Sequence, residues 1–131
     1  MNILGTSLRV CVGDLEPAIA VYERLTGAEA VRSRRGGVAV AAVGCFFLMC
    51  GPEAELSVLR KIKATLAVPD VDEAVADLRA VGAEIIAGPV ATPIGRNVVA
   101  RHPDGSVFEY VDRVPVRGAR GFDFGGEHRA R

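Results

Sequence analysis

The chain has 131 residues, half of them hydrophobic, with sixteen basic and sixteen acidic side chains. That is one domain's length. The composition excludes a disordered chain, and zero net charge gives no general attraction to nucleic acid or to an anionic membrane. Trp is absent and aromatic residues make up 5%, so stacking platforms for bases are scarce.

The first twelve residues lack the basic stretch and long apolar run of a signal peptide. Cys11, Cys45 and Cys50 show no CxxC spacing, so no disulfide or structural zinc is expected and a reducing cytoplasm fits. The longest apolar run, 38–50, is too short to cross a bilayer as a helix.

Residues 7–12 read as a short strand. Gly13-Asp14 then punctuates, and Glu16-Pro17 opens a helix, because proline fits a first turn whose N–H groups have no intrahelical partner. Ala18, Ile19, Tyr22 and Leu25 share one face at helical spacing, and Gly27 ends the helix. Residues 28–31 read as a strand, Arg34-Arg35-Gly36-Gly37 as a solvated turn, and 38–43 and 45–50 as two buried strands joined at Gly44. The first half is β-α-β-β-β.

After a link over 52–61 the plan recurs. Residues 62–68 read as a strand, and Pro69-Asp70 punctuates. The spacing of Val71, Ala74, Val75 and Leu78 predicts a helix over 71–81. Asp70 is its N-cap with Glu73 three residues on, a capping-box pattern. Gly82 stops it. Strands over 83–87, 97–101 and 107–111 follow, separated by a loop over 88–95 and a turn at Pro103-Asp104-Gly105.

The halves also match in sequence. Val12-Gly13-Asp14 corresponds to Val68-Pro69-Asp70, and Ala18-Ile19-Ala20 to Ala74-Val75-Ala76, at an offset of 56 residues. An internal duplication follows. The predicted class is α+β, with two βαβββ modules over about 5–51 and 62–113 in one domain, 1–113. A basic, Gly/Arg-rich tail over 114–131 reads as flexible, with Val114, Val116, Phe122 and Phe124 able to dock.

The duplicated plan, "VGDL" at 12–15 and "HPDGSVFEYVD" at 102–112 resemble the vicinal oxygen chelate superfamily over residues 5–113. That group holds glyoxalase I, extradiol dioxygenases, methylmalonyl-CoA epimerase, fosfomycin resistance enzymes and bleomycin resistance proteins. The resemblance implies the glyoxalase-like fold, in which each module curls its sheet into a half-open cavity. In the metal enzymes, His and Glu on cavity-facing strand positions hold a divalent ion that activates substrate oxygens. Carried over residue by residue, those places fall on Ser7, on Lys63, on Glu109 and on the strand over 45–50. No acid or His occurs anywhere from 38 to 51, and only Glu109 keeps ligand chemistry. The resemblance therefore implies no metal and no other cofactor here.

Strand alternation puts Ser7, Arg9 and Cys11 on one face, Lys63, Thr65 and Ala67 on a second, and Val107, Glu109 and Val111 on a third. By resemblance these faces line the cavities, joined by Asn97 and Arg101. Leu8, Val10, Val12, Leu66 and Phe108 then point toward the helices. Lys63 is expected to pair with Glu109 where the family shares an ion. His102 reads as a turn residue, His128 as solvated, and Cys11 as a buried, inert thiol, since no neighbour in sequence activates it.

These residues predict a metal-free protein akin to the bleomycin resistance type. It would bind a small molecule, with an anion the better fit to Lys63, Arg9 and Arg101, and would form a homodimer. The apolar hairpin 38–50 supplies surface for that interface. Two alternatives stand beside it: a metal-dependent lyase, isomerase or dioxygenase of the same superfamily, and a non-catalytic partner subunit with a vestigial cavity.

Overall fold

The structure is a computed structural model and describes residues 1–92 and 95–112; the tail over 114–131, with His128, lies outside the described residues. The chain divides into two compact units. One is Ser7–Lys61. The other starts at Ile62 and also takes in Met1–Thr6.

The Ser7–Lys61 unit carries β1 (Gly5–Cys11), α1 (Leu15–Thr26), β2 (Val31–Arg35), β3 (Val38–Val43), β4 (Phe46–Cys50) and α2 (Glu53–Leu59). Its strands lie in the order β2-β3-β4-β1. β1 runs parallel to β4, and the other two pairs are antiparallel. The helix α1 ends at Gly27, whose φ of 74° is left-handed and whose N–H bonds the Glu23 carbonyl. Glycine takes that conformation without a Cβ clash.

Ile19, Ala28, Ala41, Val43 and Leu48 form the core under α1, with Val10, Leu15, Ala18, Tyr22 and Phe46 packed around it. Two expected members are elsewhere. Leu25 is exposed, because at 100° per residue it lies roughly 70° off the centre of the Leu15–Ala18–Ile19–Tyr22 stripe. Leu8 is exposed as well, since the cluster takes in β1 at Val10 and not two residues earlier.

The link over 52–61 contains a helix that the sequence reading lacked. It is short, and its buried anchor is Leu56. The second strand also lies later than expected, at Val31–Arg35 and not 28–31. Its alternation is clear once placed: Val31, Ser33 and Arg35 are half-buried, while Arg32 and Arg34 are exposed.

The second unit repeats the plan with β5 (Ala64–Val68), α3 (Val71–Ala80), β6 (Glu84–Thr92), β7 (Gly95–Arg101) and β8 (Val107–Asp112). Its strand order, β6-β7-β8-β5, mirrors the first, again with the opening and closing strands parallel. Val68, Val71, Ala74, Leu78, Ala83, Val98, Ala100 and Tyr110 make its core, with Leu66 and Phe108 packed against them as expected. Asp70 caps α3 by accepting from the Asp72 N–H at 2.8 Å. The predicted loop over 88–95 is mostly strand, because β6 runs on to Thr92 after register shifts at Ile85/Ala87 and Ala87/Val90. The fold is therefore α+β, made of tandem βαβββ modules.

A polar clasp joins the start of α3 to the ends of β7 and β8. The buried Asp112 carboxylate accepts from the Val71 N–H at 2.9 Å and the Arg96 N–H at 3.0 Å. The Arg96 guanidinium donates to Asp112 at 2.7 Å and also reaches Asp70 and Asp72, each at 2.9 Å. Burial alone raises the Asp112 pKa. The Arg96 and Val71 amides and the Arg96 guanidinium outweigh it and hold the carboxyl below its ordinary value.

Candidate functional site

In the second unit the register of β5 against β8 sets Thr65 directly opposite Glu109. Glu109 is 2% exposed and Thr65 is fully buried. Thr65 Oγ1 donates to Glu109 Oε1 at 2.9 Å. On β7, Val99 pairs with Glu109, so Asn97 lies two residues along on the same face. Asn97 Nδ2 donates to Glu109 Oε2 at 3.3 Å. Thr65, Asn97 and Glu109 thus form one polar group on the sheet face opposite α3.

Lys63 does not join it. Lys63 is exposed, lies one residue ahead of β5, and bonds Val107 through its backbone N–H. No ion pair links Lys63 to Glu109 among the described residues, which corrects the expected pairing. The reason is register: Glu109 faces Thr65, and the Lys63 ammonium is better solvated in water than buried beside an already hydrogen-bonded carboxylate. Arg101 is also exposed and bonds Glu84 across the β6–β7 pair at 2.7 Å.

In the Ser7–Lys61 unit, β1 and β4 pair Arg9 with Phe47 and Cys11 with Met49. These four face away from α1, on the same side as buried Ser7. Arg9 lies with its guanidinium carbon 5.4 Å from the centroid of Phe47 and donates from Nη2 to Met49 Sδ at 3.6 Å. Arg35 lies over the same ring at 5.2 Å. Arg35 is therefore not the solvated turn residue expected; the turn begins at Gly36, and Arg35 ends the half-buried series Val31, Ser33, Arg35. That alternation was the available signal for it.

Cys11 is half-buried, where a buried thiol is expected from the sequence. Arg60, at the end of α2, donates to Glu53 at 2.8 Å, and its pKa is raised first by that bond and in smaller part by Cys11. His102 is a turn residue, as expected. Its Nε2 lies 2.6 Å from the Tyr110 hydroxyl and its ring stacks on Phe108, so it serves the core.

These residues do not fit a divalent metal. Among the described residues no three His, Cys, Asp or Glu side chains come together as a ligand set. The places to which the resemblance carries the metal ligands hold a hydroxyl at Ser7 and an exposed ammonium at Lys63, and the side of β4 away from α1 holds Phe47 and Met49. Only Glu109 is a carboxylate, and Thr65 and Asn97 donate to its two oxygens. One carboxylate does not hold a transition metal.

No protein-family model and no curated protein matches this sequence. Solved structures do. An uncharacterized protein from Methanosarcina mazei is 39% identical, with a TM-score of 0.83 over 88% of this chain and 97% of that one. Methylmalonyl-CoA epimerase from Mycobacterium tuberculosis is 20% identical, with a TM-score of 0.68 over 86% and 90%. The Streptomyces coelicolor epimerase in complex with 2-nitronate-propionyl-CoA is 19% identical, with a TM-score of 0.64 over 87% and 100%. The two epimerases share the fold with this chain.

Proposed function

Because the chain belongs to the same family as the Methanosarcina mazei protein and has the vicinal oxygen chelate fold, we propose that it is a metal-free protein that binds a small molecule. One observation carries this reading. The fold's metal-ligand places hold Ser7, Lys63, Phe47 or Met49, and Glu109, a set without the donors a metal needs, while polar groups remain on the same sheet faces. Each unit has its own proposed lining: Ser7, Arg9 and Cys11 in the first, and Thr65, Asn97 and Glu109 in the second, where Lys63 and Arg101 are exposed. The proposed assembly is a homodimer.

Glu109 acts here as an oriented acceptor. The side chain is buried and both its oxygens receive side-chain donors, which fixes the carboxylate plane. Such a group recognises a ligand by position and needs no ion.

Elemental analysis of the purified protein, followed by Zn²⁺, Ni²⁺ and Mn²⁺ titration with thermal unfolding as readout, tests the proposal. The expected result is metal far below stoichiometry and no rise in Tm. About one metal per chain, lost in Glu109→Gln, would overturn it and restore the metal-enzyme reading.

A further inference from the structure

We propose that α2 is a strap across one end of the first unit's sheet, latched by Glu55 onto the β2–β3 turn, and that release of the latch opens the face away from α1 to a small molecule. What enters rests on the small-molecule reading above; the strap itself does not. The directions of the strands bring Cys11 of β1, Arg35 of β2, Val38 of β3 and Cys50 of β4 to one end of the sheet. The strap meets both sides of that end. Glu55 Oε1 accepts from the Gly37 N–H at 2.9 Å, two residues past β2. Arg60 lies on the far side, beside Cys11, the last residue of β1. Arg9, Phe47 and Met49 share the face of Cys11, farther into the sheet.

The latch has a fitted seat. Gly36 and Gly37 leave the room that the carboxylate takes: a Cβ at Gly36 would lie 3.0 Å from Glu55 Oε1, and one at Gly37 would collide with Oε2. The strap also holds its own shape. Arg60 donates to both Glu53 oxygens, at 2.8 and 3.2 Å, seven residues back along the chain.

Its grip on the body is slight by comparison. Leu56 alone is buried in α2, and Val58 is exposed. The other helix of the unit, α1, sets Leu15, Ala18, Ile19 and Tyr22 into or against the core. A segment with one buried apolar anchor and an exposed hydrogen bond opens at a far lower cost than the whole fold. The bond from Gly37 to the Glu55 carboxylate is charge-assisted, so it weighs heavily in that cost.

Cys11 reports the opening. Alkylation of the full chain by iodoacetamide, followed at each cysteine by peptide mass spectrometry, tests the proposal. The Cys11 rate is expected to change little with urea well below the unfolding transition, because a local opening exposes little surface. Glu55→Ala removes the latch, and Gly37→Ala crowds the carboxylate out of its seat. Each should speed Cys11 about fivefold or more. Cys45, exposed in the β3–β4 turn at the other end of the sheet, should keep its wild-type rate in both. Glu16→Ala, which removes an exposed ion pair to Arg32 in the same unit, should leave Cys11 unchanged and so controls for a general loss of stability. An unchanged Cys11 rate in either latch variant, or an equal rise in Glu16→Ala, overturns the strap. Where a latch variant fails to fold, the wild type decides: a Cys11 rate that follows global unfolding at every urea concentration also overturns it. None of these outcomes involves metal uptake, so the strap can fail while the metal-free reading stands.

Discussion

Glu109 is the residue at which pairing register overrode the count along the strands. Alternation puts Lys63 and Thr65 on one face, and either could meet Glu109. The parallel β5–β8 register brings Thr65 level with it and leaves Lys63 at the strand's mouth. Thr65→Val is therefore expected to cost about 1–2 kcal/mol by removing a donor from a buried carboxylate. Lys63→Met should stay within about 0.5 kcal/mol, like other solvated surface changes. Chemical denaturation of the two variants checks this, and the reverse order of effects would restore the ion pair. Asp112 makes a second prediction at this scale. Its folded pKa is depressed, so its contribution is complete above the unfolded value of about 3.9 and is lost as pH falls through the lower folded value. Asp112→Asn should lower stability by about 1–3 kcal/mol at neutral pH. It should also flatten the acid limb of a stability–pH curve below about pH 4. An acid limb as steep as wild type counts against the clasp.

Among the elements, the helices and the duplicated plan were legible because apolar residues recur at 3.6 and at 2 along them. Other elements were not, for identifiable reasons. The helix α2 buries little beyond Leu56, too few contacts for a period to show. Strand β2 is carried by arginines, which read as solvent-facing until the alternation Val31, Ser33, Arg35 is set against buried β3. The site was half legible for the same reason: Glu109, Thr65, Asn97 and Arg9 follow from strand faces, whereas Arg35 and Arg60 arrive through contacts distant in sequence. The β6 irregularity has its own test. A Cβ at Gly88 would meet the Asn97 carbonyl oxygen at 2.6 Å, and its φ is 87°. At Gly27, with φ 74°, a Cβ meets nothing within 4 Å. Gly27→Ala should thus cost about 1 kcal/mol, from conformation alone. Gly88→Ala should cost about 2 kcal/mol or more, since backbone must also move. Equal losses in a denaturation series would show that the bulge yields freely.

For the whole molecule, the apolar hairpin 38–50 no longer argues for a dimer. Val38, Val40, Ala41, Val43, Phe47, Leu48 and Met49 are buried within a single chain. Apolar side chains are exposed instead at Leu8, Val21, Leu25, Ile86 and Val90. Strand β6, at the outer end of its sheet, carries one charged residue, Glu84, in nine, where an unpaired edge is normally protected by charge. A homodimer is still expected, with this edge in place of the hairpin as the surface that needs cover. Light scattering should give twice the 13.8 kDa chain mass, and Ile86→Lys with Val90→Lys should halve it. A wild-type mass of one chain removes the dimer.

The parallel closure of each module has a consequence for how the chain is made. β1 is held by β4, and β5 by β8, so each module joins its earliest strand to its latest. During synthesis the opening strand of a module has no partner within that module until the closing one has left the ribosome. For the second module that interval runs from Thr65 to Glu109, its partner across the pair. Contacts of such long separation form slowly and leave strand edges uncovered meanwhile. A nascent chain stalled before Val107 should then be open to protease and to chaperones in its second half, while the first half, complete at Cys50, already resists.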